Sequence, residues 1–419
     1  MARTSVVIIG AGQAGLAMSR SLSDLDIEHV VLERGSIAQR WRSHGWDSLR
    51  LLTPNWMTRL PGFQYDGHDP DGFMGVPELV SFFQRYAVLS GAPIVTDAAV
   101  QRVEPWANGF RVQSSRGLWR AQAVVVATGY AEWPLVPAIG RGLSPGILQV
   151  VPAAYRNPSQ LPSGGVLIVG SSSTGVQLAD EIQKTGRQVT LAVGRHTRLP
   201  RSYRGRDILW WLDRLGALTE PIGAVRNIRA SLNQPSLQLV GRPDHAALDL
   251  RALHQHGVRL VGRIRGIDGM RVHLADDLVA KTAAADIKMA ETLRRIDSHI
   301  EKTGVEAEPR EPFEPTWPLA AGAPTDLDLE AAGIATTIWA TGYRRSYPWL
   351  RLPVLDARGE IIHEGGVTPV PGLYVLGLRF QRRRSSNFIH GVGSDARDLA
   401  DHVAGLLSVR QPELRERAS

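Results

Sequence analysis

The fold class the sequence predicts is α/β: two Rossmann-like dinucleotide-binding units, the second inserted into the first, plus a helical insertion. Three observations carry that reading. Residues 6–33 run strand, glycine turn, helix, strand, acid; residues 166–194 repeat the plan; and a short apolar strand with a glycine-led helix closes the chain.

Val6-Val7-Ile8-Ile9 reads as a buried strand entering Gly10-Ala-Gly12-Gln-Ala-Gly15, and Val30-Val31-Leu32-Glu33 is the second strand with its acid. In such a fingerprint Gly10 permits the tight turn, Gly12 the approach of a pyrophosphate, and Gly15 close helix–strand packing. The pyrophosphate sits at the helix N-terminus, where free N–H groups and the dipole favour an anion. Glu33 stands where a carboxylate takes up ribose hydroxyls. The next stretch, with Trp41 and Trp46, is rich in aromatics, Arg and Pro. It reads either as a surface excursion or as a loop laid along a flat aromatic cofactor. A helix follows at Pro77, a favourable first-turn position.

Val124–Val126 is a further buried strand, ending in Ala127-Thr128-Gly129-Tyr130. At Val166 the opening plan returns as Val-Leu-Ile-Val-Gly170-Ser-Ser172-Ser-Thr-Gly175, then a helix and the strand Gln188–Gly194. Ser172 replaces the central glycine, a small side chain at the backbone approach. The second strand ends without an acid; Arg195, His196, Arg198 and Arg201 follow. Arginine there suits a 2′-phosphate that a carboxylate would repel, so Arg195 and Arg201 favour NADP(H) over NAD(H). A solvated basic loop is the competing reading.

From about 274 to 304, apolar residues at spacings of three and four predict a long amphipathic helix, a packing surface or a dimer face. Pro-rich chain at 308–324 reads as a linker back. Ala340-Thr-Gly-Tyr343 echoes residues 127–130. Gly372–Leu378 contains a strand, and Gly391-Val-Gly393-Ser-Asp395 opens the last helix, its N-terminus free to face an electron-rich cofactor edge. The domains expected are therefore 1–150 with 325–419, and 151–324 between them.

Composition sets the outer bounds. The chain has 419 residues, 43% apolar and 21% charged, with 48 basic against 41 acidic residues, hence +7. That is ordinary globular composition. The basic excess is explained by anionic cofactors without invoking nucleic acid. With no cysteine, disulfides, thiol redox chemistry and thiolate metal sites are excluded. No apolar run approaches the ~20 residues of a membrane helix, and the expected location is cytoplasmic, with no membrane partner.

The two glycine units, the paired Ala-Thr-Gly-Tyr segments and the closing Gly-x-Gly-x-Asp-Ala together resemble the class B flavoprotein monooxygenases. The likeness is greatest to flavin-containing monooxygenases, plant indole-3-pyruvate monooxygenases and bacterial flavoproteins around them. It spans nearly the whole chain except 274–304. The resemblance implies FAD on the first unit, through Gly10, Gly12, Gly15, Glu33, Arg34 and Trp41, with Thr128, Gly129 and Asp395 nearby. It implies NADPH on the second, through Gly170, Ser172, Gly175, Arg195 and Arg201. NADPH would reduce the flavin, and O2 would add to give a C4a-(hydro)peroxyflavin that oxygenates a small organic substrate. The cofactor then carries the hard chemistry, consistent with the lack of a catalytic dyad or triad in the sequence.

Two departures stand out. The family's Phe-x-Gly-x-x-x-His fingerprint is replaced around Ile147–Pro158, where Val151 takes the His position and only Tyr155-Arg156 fits. This argues against a Baeyer–Villiger enzyme. An Asn placed near the flavin by the family falls here one position late, as Asn55, which either stabilises the oxygenated flavin or caps the next turn. His390 is a second candidate catalytic group, as a polar neighbour of the flavin or as a structural histidine. Arg382–Arg384 would meet an acidic substrate or NADPH phosphate, or form a solvated face. The alternatives to a monooxygenase are a flavoprotein oxidase or reductase without oxygen insertion, and a non-catalytic nucleotide-binding sensor. A disulfide reductase is excluded by the missing cysteines.

Overall fold

Ala2–Ile9 is an inner strand of a seven-stranded sheet in the computed structural model of the chain, which describes residues 1–416 and side chains through Val409. It pairs in parallel with His29–Leu32 on one side and Gly117–Val126 on the other. Successive strand residues point to opposite faces, and the packing divides accordingly. Val6 and Ile8 join a core with the helix Gln13–Ser23, the helix Val76–Leu89 and the last helix, Val392–Glu416. Val7 and Ile9 join a second core under the antiparallel strands Val100–Trp106 and Gly109–Ser114. A parallel strand buried on both faces needs a continuous apolar run, and Val6–Ile9 supplies it. Leu373–Val375, from the far end of the chain, completes the sheet against Val124–Val126.

The second sheet is wholly parallel, in the order Leu148–Val150, Ile334–Trp339, Gly165–Val169, Val189–Ala192, Arg259–Val261. A three-stranded antiparallel ribbon, Ile264–Asp268, Arg271–Leu274 and Asp326–Asp328, stands beside it. The strand pairing shifts the expected boundaries at 150 and 325. Leu148–Val150 already belongs to the second sheet, and the chain leaves that sheet only after Trp339. The Pro-rich segment is a detour within the second unit, because Ile334–Trp339 must return between two parallel strands.

That correction explains the sequence echo. Ala127–Tyr130 follows the inner strand of the first sheet, and Ala340–Tyr343 follows the corresponding strand of the second. The chain passes between units at Trp133–Pro134 and returns at Tyr343–Arg344, and the two crossings pair antiparallel. A second ladder joins the units further along. Ile222 N–H donates to Arg382 O at 2.8 Å, Arg384 N–H to Glu220 O at 3.1 Å and Ser385 N–H to Leu218 O at 2.9 Å.

The amphipathic helix expected at 274–304 is Leu278–Thr303, closed by Gly304 in the left-handed region at φ +66°. Its Met289, Leu293 and Ile296 pack with Leu199, Ile208, Leu209 and Trp211 in a separate core. Among the described residues no helix is long and apolar enough to cross a membrane.

Candidate functional site

Each unit carries the same turn. Gly10 and Gly170 have φ of +107° and +110°, a region L side chains rarely enter. A Cβ on Gly10 would lie 2.7 Å from Ala127 O, and one on Gly170 would collide with Ala340 O. The two Ala-Thr-Gly segments are therefore the walls against which the two turns close. A Cβ on Gly15 or Gly175 would run into the carbonyl of Gly10 or Gly170. Gly12 differs: its φ is −88° and the space beyond it is open. Nothing in the backbone requires glycine there, which is why Ser172 holds the equivalent position at φ −78°.

Neither helix is capped by a side chain at its N-terminus. The first N–H groups of a helix have no intrahelical partner, so both turns leave donors for an anion. Gly12, Gln13 and Ala14 of the first turn and Ser173, Thr174 and Gln177 of the second line one cavity of about 1190 Å³. Small-ligand sites commonly span ~300–1,000 Å³, so this one exceeds a single-ligand site.

Glu33 is buried, with its carboxylate accepting from Ala11 N–H at 2.7 Å and Gly35 N–H at 3.1 Å. The acid is held in place by the turn it serves. Arg34, Trp41, Thr128 and Gly129 also line the cavity. Between them lies a polar knot. Arg40 Nη1 donates to Glu132 O and to His44 Nε2, both at 2.7 Å. Arginine only donates, so His44 accepts at Nε2 and carries its proton on Nδ1, toward Ser43 Oγ at 2.7 Å. Burial, then Arg40, Arg34 and Arg156, brings His44 down to about 4, and it stands neutral near pH 7. Arg156, one half of the Tyr155-Arg156 pair noted in the sequence, donates to the carbonyls of Ser43 and Gly45. It ties the second unit's chain between Leu148–Val150 and Gly165–Val169 to the cavity loop.

Five expected site residues, Arg195, Arg201, Asn55, Asp395 and His390, are not on the cavity wall. Arg201 is 1% exposed, with Nη1 donating to Leu52 O at 2.8 Å, Nη2 paired to Asp207 at 2.6 Å and its guanidinium over Phe73. Its Nε has no partner among the described residues, but the side chain is buried off the cavity wall, where no 2′-phosphate reaches it. Arg198 is likewise spent on Asp249 and Asp286. Arg195 alone of the three arginines is exposed, just past the strand Val189–Ala192.

Asn55 is 5% exposed and off the cavity wall. Its Nδ2 donates to Asp69 O at 2.9 Å and its Oδ1 accepts from Met74 N–H at 2.8 Å. It fastens a loop, which corrects the flavin-facing expectation. Asp395 lies in the first turn of the last helix as expected, but it is fully buried and off the wall. Burial pushes its carboxyl up, against the Ser386 hydroxyl and the Arg383 and Arg382 charges. Arg383 Nη1 pairs with it at 2.7 Å. The arginine run 382–384 is thus neither a solvated face nor free cation: Arg382 and Arg383 reach Asp398, and Arg384 pairs with Glu220.

His390 is also off the wall, and its buried Nε2 has no hydrogen-bond partner among the described residues. Burial, with Arg59 adding, lowers it to about 4. The unfolded chain takes up this proton near the ordinary 6.5, while the folded chain refuses it until about 4. Stability from this group is therefore complete above 6.5 and falls as pH drops toward 4. His390→Gln is expected to recover about 3 kcal/mol of the wild type's loss between those pH values, read from urea melts at pH 7 and pH 4.5. An equal acid loss in both proteins would contradict the assignment.

The sequence missed a third lobe of the cavity. Leu209, Leu212, Leu215, Leu218 and Leu237 line it, with Phe380 and Phe388 from the C-terminal part and Thr292 and Arg295 from the long helix. The long helix's share had one sequence signal: Thr292 and Arg295, three residues apart, flank the apolar stripe of Met289, Leu293 and Ile296.

Residues 7–213 match the family model described as pyridine nucleotide-disulphide oxidoreductase. The "Uncharacterized oxidoreductase CzcO-like" of Geobacillus kaustophilus is 32% identical, covering 95% of this chain and 97% of its own. Indole-3-pyruvate monooxygenase YUCCA1 of Oryza sativa is 25% identical, covering 95% of this chain and 90% of its own. A flavin-containing monooxygenase from Stenotrophomonas maltophilia shares the fold at a TM-score of 0.67 and 19% identity, covering 97% and 99% of the two chains.

Proposed function

The chain belongs to the class B flavoprotein monooxygenase-like family, a flavin-dependent oxidoreductase family that binds FAD and NADPH, and from that premise we propose that it oxygenates a small organic substrate at the expense of NADPH and O2. The observation that carries the proposal is the single cavity on which two uncapped phosphate turns and an apolar third lobe converge. The residues present fit both cofactors: open space over Gly12 admits a pyrophosphate, Glu33 is fixed beside it, and Arg195 stands free past the second strand. Bound FAD, once reduced by NADPH, supplies the electrons that activate O2.

The chain's own part is binding, orientation and exclusion of water. Gly10 to Gly15 would hold FAD, with Thr128 and Gly129 on the same cavity wall, and Gly170 to Gly175 would hold NADPH. Trp41 and Trp46 offer flat faces on the wall between them, and Arg156 fixes their loop. The leucines and phenylalanines of the third lobe keep water from the reacting centre, where stray water diverts reactive species. With no cysteine, the disulfide chemistry in the family model's description has no counterpart here.

The test is anaerobic reduction of the FAD-loaded protein by NADPH, followed by oxygenated buffer while flavin absorbance and peroxide are recorded. A lag before oxidised flavin returns, with little peroxide, is expected. Immediate return with one peroxide per NADPH would mean an oxidase, and no reduction would mean a nucleotide-binding sensor. For the second unit, Arg195→Ala is expected to raise the KM for NADPH by about 10- to 100-fold, the loss of a charge-assisted hydrogen bond. The KM for NADH should move little. Equal effects would remove the 2′-phosphate role.

A further inference from the structure

The third lobe belongs to neither phosphate turn. It is built from chain inserted between the strands Val189–Ala192 and Arg259–Val261, from one face of the long helix, and from Phe380 and Phe388. Leucine dominates its wall, so its occupant carries an apolar body.

The charges on the cavity wall point to the other end of that occupant. Three glutamates line it, and each is engaged: Glu33 by backbone N–H groups, Glu132 by Arg34, Glu220 by Arg384. Arg40 donates to Glu132 O, Arg50 to Phe73 O at 2.7 Å, and Arg379 to Gln234 O at 2.6 Å. Arg295 differs from all of these. It lines the cavity as an exposed residue of the long helix, and among the described residues it has neither an ion pair nor a hydrogen bond. Glu291 stands one turn before it at a spacing that permits pairing, yet the two form no bridge. Thr292, also on the wall, gives its hydroxyl to Lys288 O at 3.0 Å and offers no further donor. A cation beside an apolar wall attracts an anion more strongly than one in open water.

We propose that the third lobe takes an apolar molecule bearing one carboxylate, with the carboxylate docked on the Arg295 guanidinium and the hydrocarbon against Leu209, Leu212 and Leu215. This rests on the reading of the cavity as the site of oxygenation, and it names the class of substrate held there. Arg295 is a specificity-determining residue: it selects the anion over neutral and cationic molecules of the same shape. The second unit's phosphate chemistry does not need it, since Arg195 stands free for the NADPH 2′-phosphate.

The test uses FAD-loaded protein and three probes with one skeleton: octanoate, octanamide and octylamine. Binding is read from tryptophan fluorescence, without turnover; Trp41 and Trp46 line the same cavity. Octanoate is expected to bind about tenfold or more tighter than octanamide, the scale of a charge-assisted hydrogen bond, and octylamine weakest. Arg295→Gln should bring octanoate to the level of octanamide and leave octanamide unchanged. Arg295→Lys should restore part of the preference, which a merely structural role would not. Equal binding of all three by the wild type, or an unaltered preference in Arg295→Gln, overturns the proposal. So does a rise in the KM for NADPH with the preference intact, which would give Arg295 to the cofactor. Since these readings need no oxygen insertion, a negative oxygenation test leaves them standing and is distinguishable from failure here.

Discussion

Gly15→Ala is expected to give protein that purifies without yellow colour, whereas Gly175→Ala should purify yellow and fail to accept electrons from NADPH. The two substitutions are the same change at equivalent places. In each, one methyl group is driven into the carbonyl of the glycine that opens the turn, Gly10 or Gly170. The obstacle is backbone, so no rotamer change relieves it; helix and turn must separate. That moves the helix N-terminal N–H groups away from the pyrophosphate they are meant to meet. A loss of at least about 100-fold in cofactor affinity is expected for each, since more than one charge-assisted hydrogen bond is displaced. Bound flavin per chain and the dissociation constant for NADPH measure the two losses separately. Colour lost from Gly175→Ala and kept by Gly15→Ala would reverse the assignment of cofactors to units.

Arg383→Ala should lower stability by about 3–5 kcal/mol, the usual consequence of leaving a buried carboxylate without its partner. Asp395 is fully buried, burial already works against its charge, and Arg383 supplies the pairing cation at 2.7 Å. The same arginine reaches Asp398 at 2.9 Å, and its neighbours carry the ladder to residues 218–222. Urea unfolding followed by tryptophan fluorescence reads the loss. The double variant Arg383→Met with Asp395→Leu should recover much of it, because a buried pair replaced by apolar groups costs far less than a broken one. A single variant as stable as the wild type would show that Asp395 is neutral in the folded protein.

What was legible in the sequence was local. Val6–Gly15 and Val166–Gly175 announce themselves because strand, turn and helix are contiguous and each glycine answers a steric demand of its neighbours. The last helix was visible for the same reason, from Gly391 to Asp395. Partnership across the chain was not legible. Arg195 and Arg201 look alike in the sequence; only the fold shows that Arg201 meets Asp207, Leu52 O and Phe73 while Arg195 meets solvent. Asn55 looked like a site residue because the family resemblance places an Asn one position away, but Asp69 and Met74 decide its role. The second boundary slipped because prolines at 308–324 resemble a linker, whereas Ile334–Trp339 beyond them pairs with residues 148–150 and 165–169. Arg295 was hidden for a related reason: helical spacing tells which face is polar, not what that face looks into.

The insertion of one sheet within another also fixes an order of assembly during synthesis. All five strands of the second sheet lie between residues 148 and 339, so that unit has its complete sheet while the first still lacks Leu373–Val375 and the helix Val392–Glu416. Until those emerge, Val124–Val126 has an unpaired edge and Leu16, Met18 and Leu22 lack the apolar partners Val392, Ala396 and Val403. At roughly 5–20 residues per second, ribosomes leave that surface open for several seconds. The inserted unit is the nascent chain's first finished core, and the first unit closes around chain made hundreds of residues earlier.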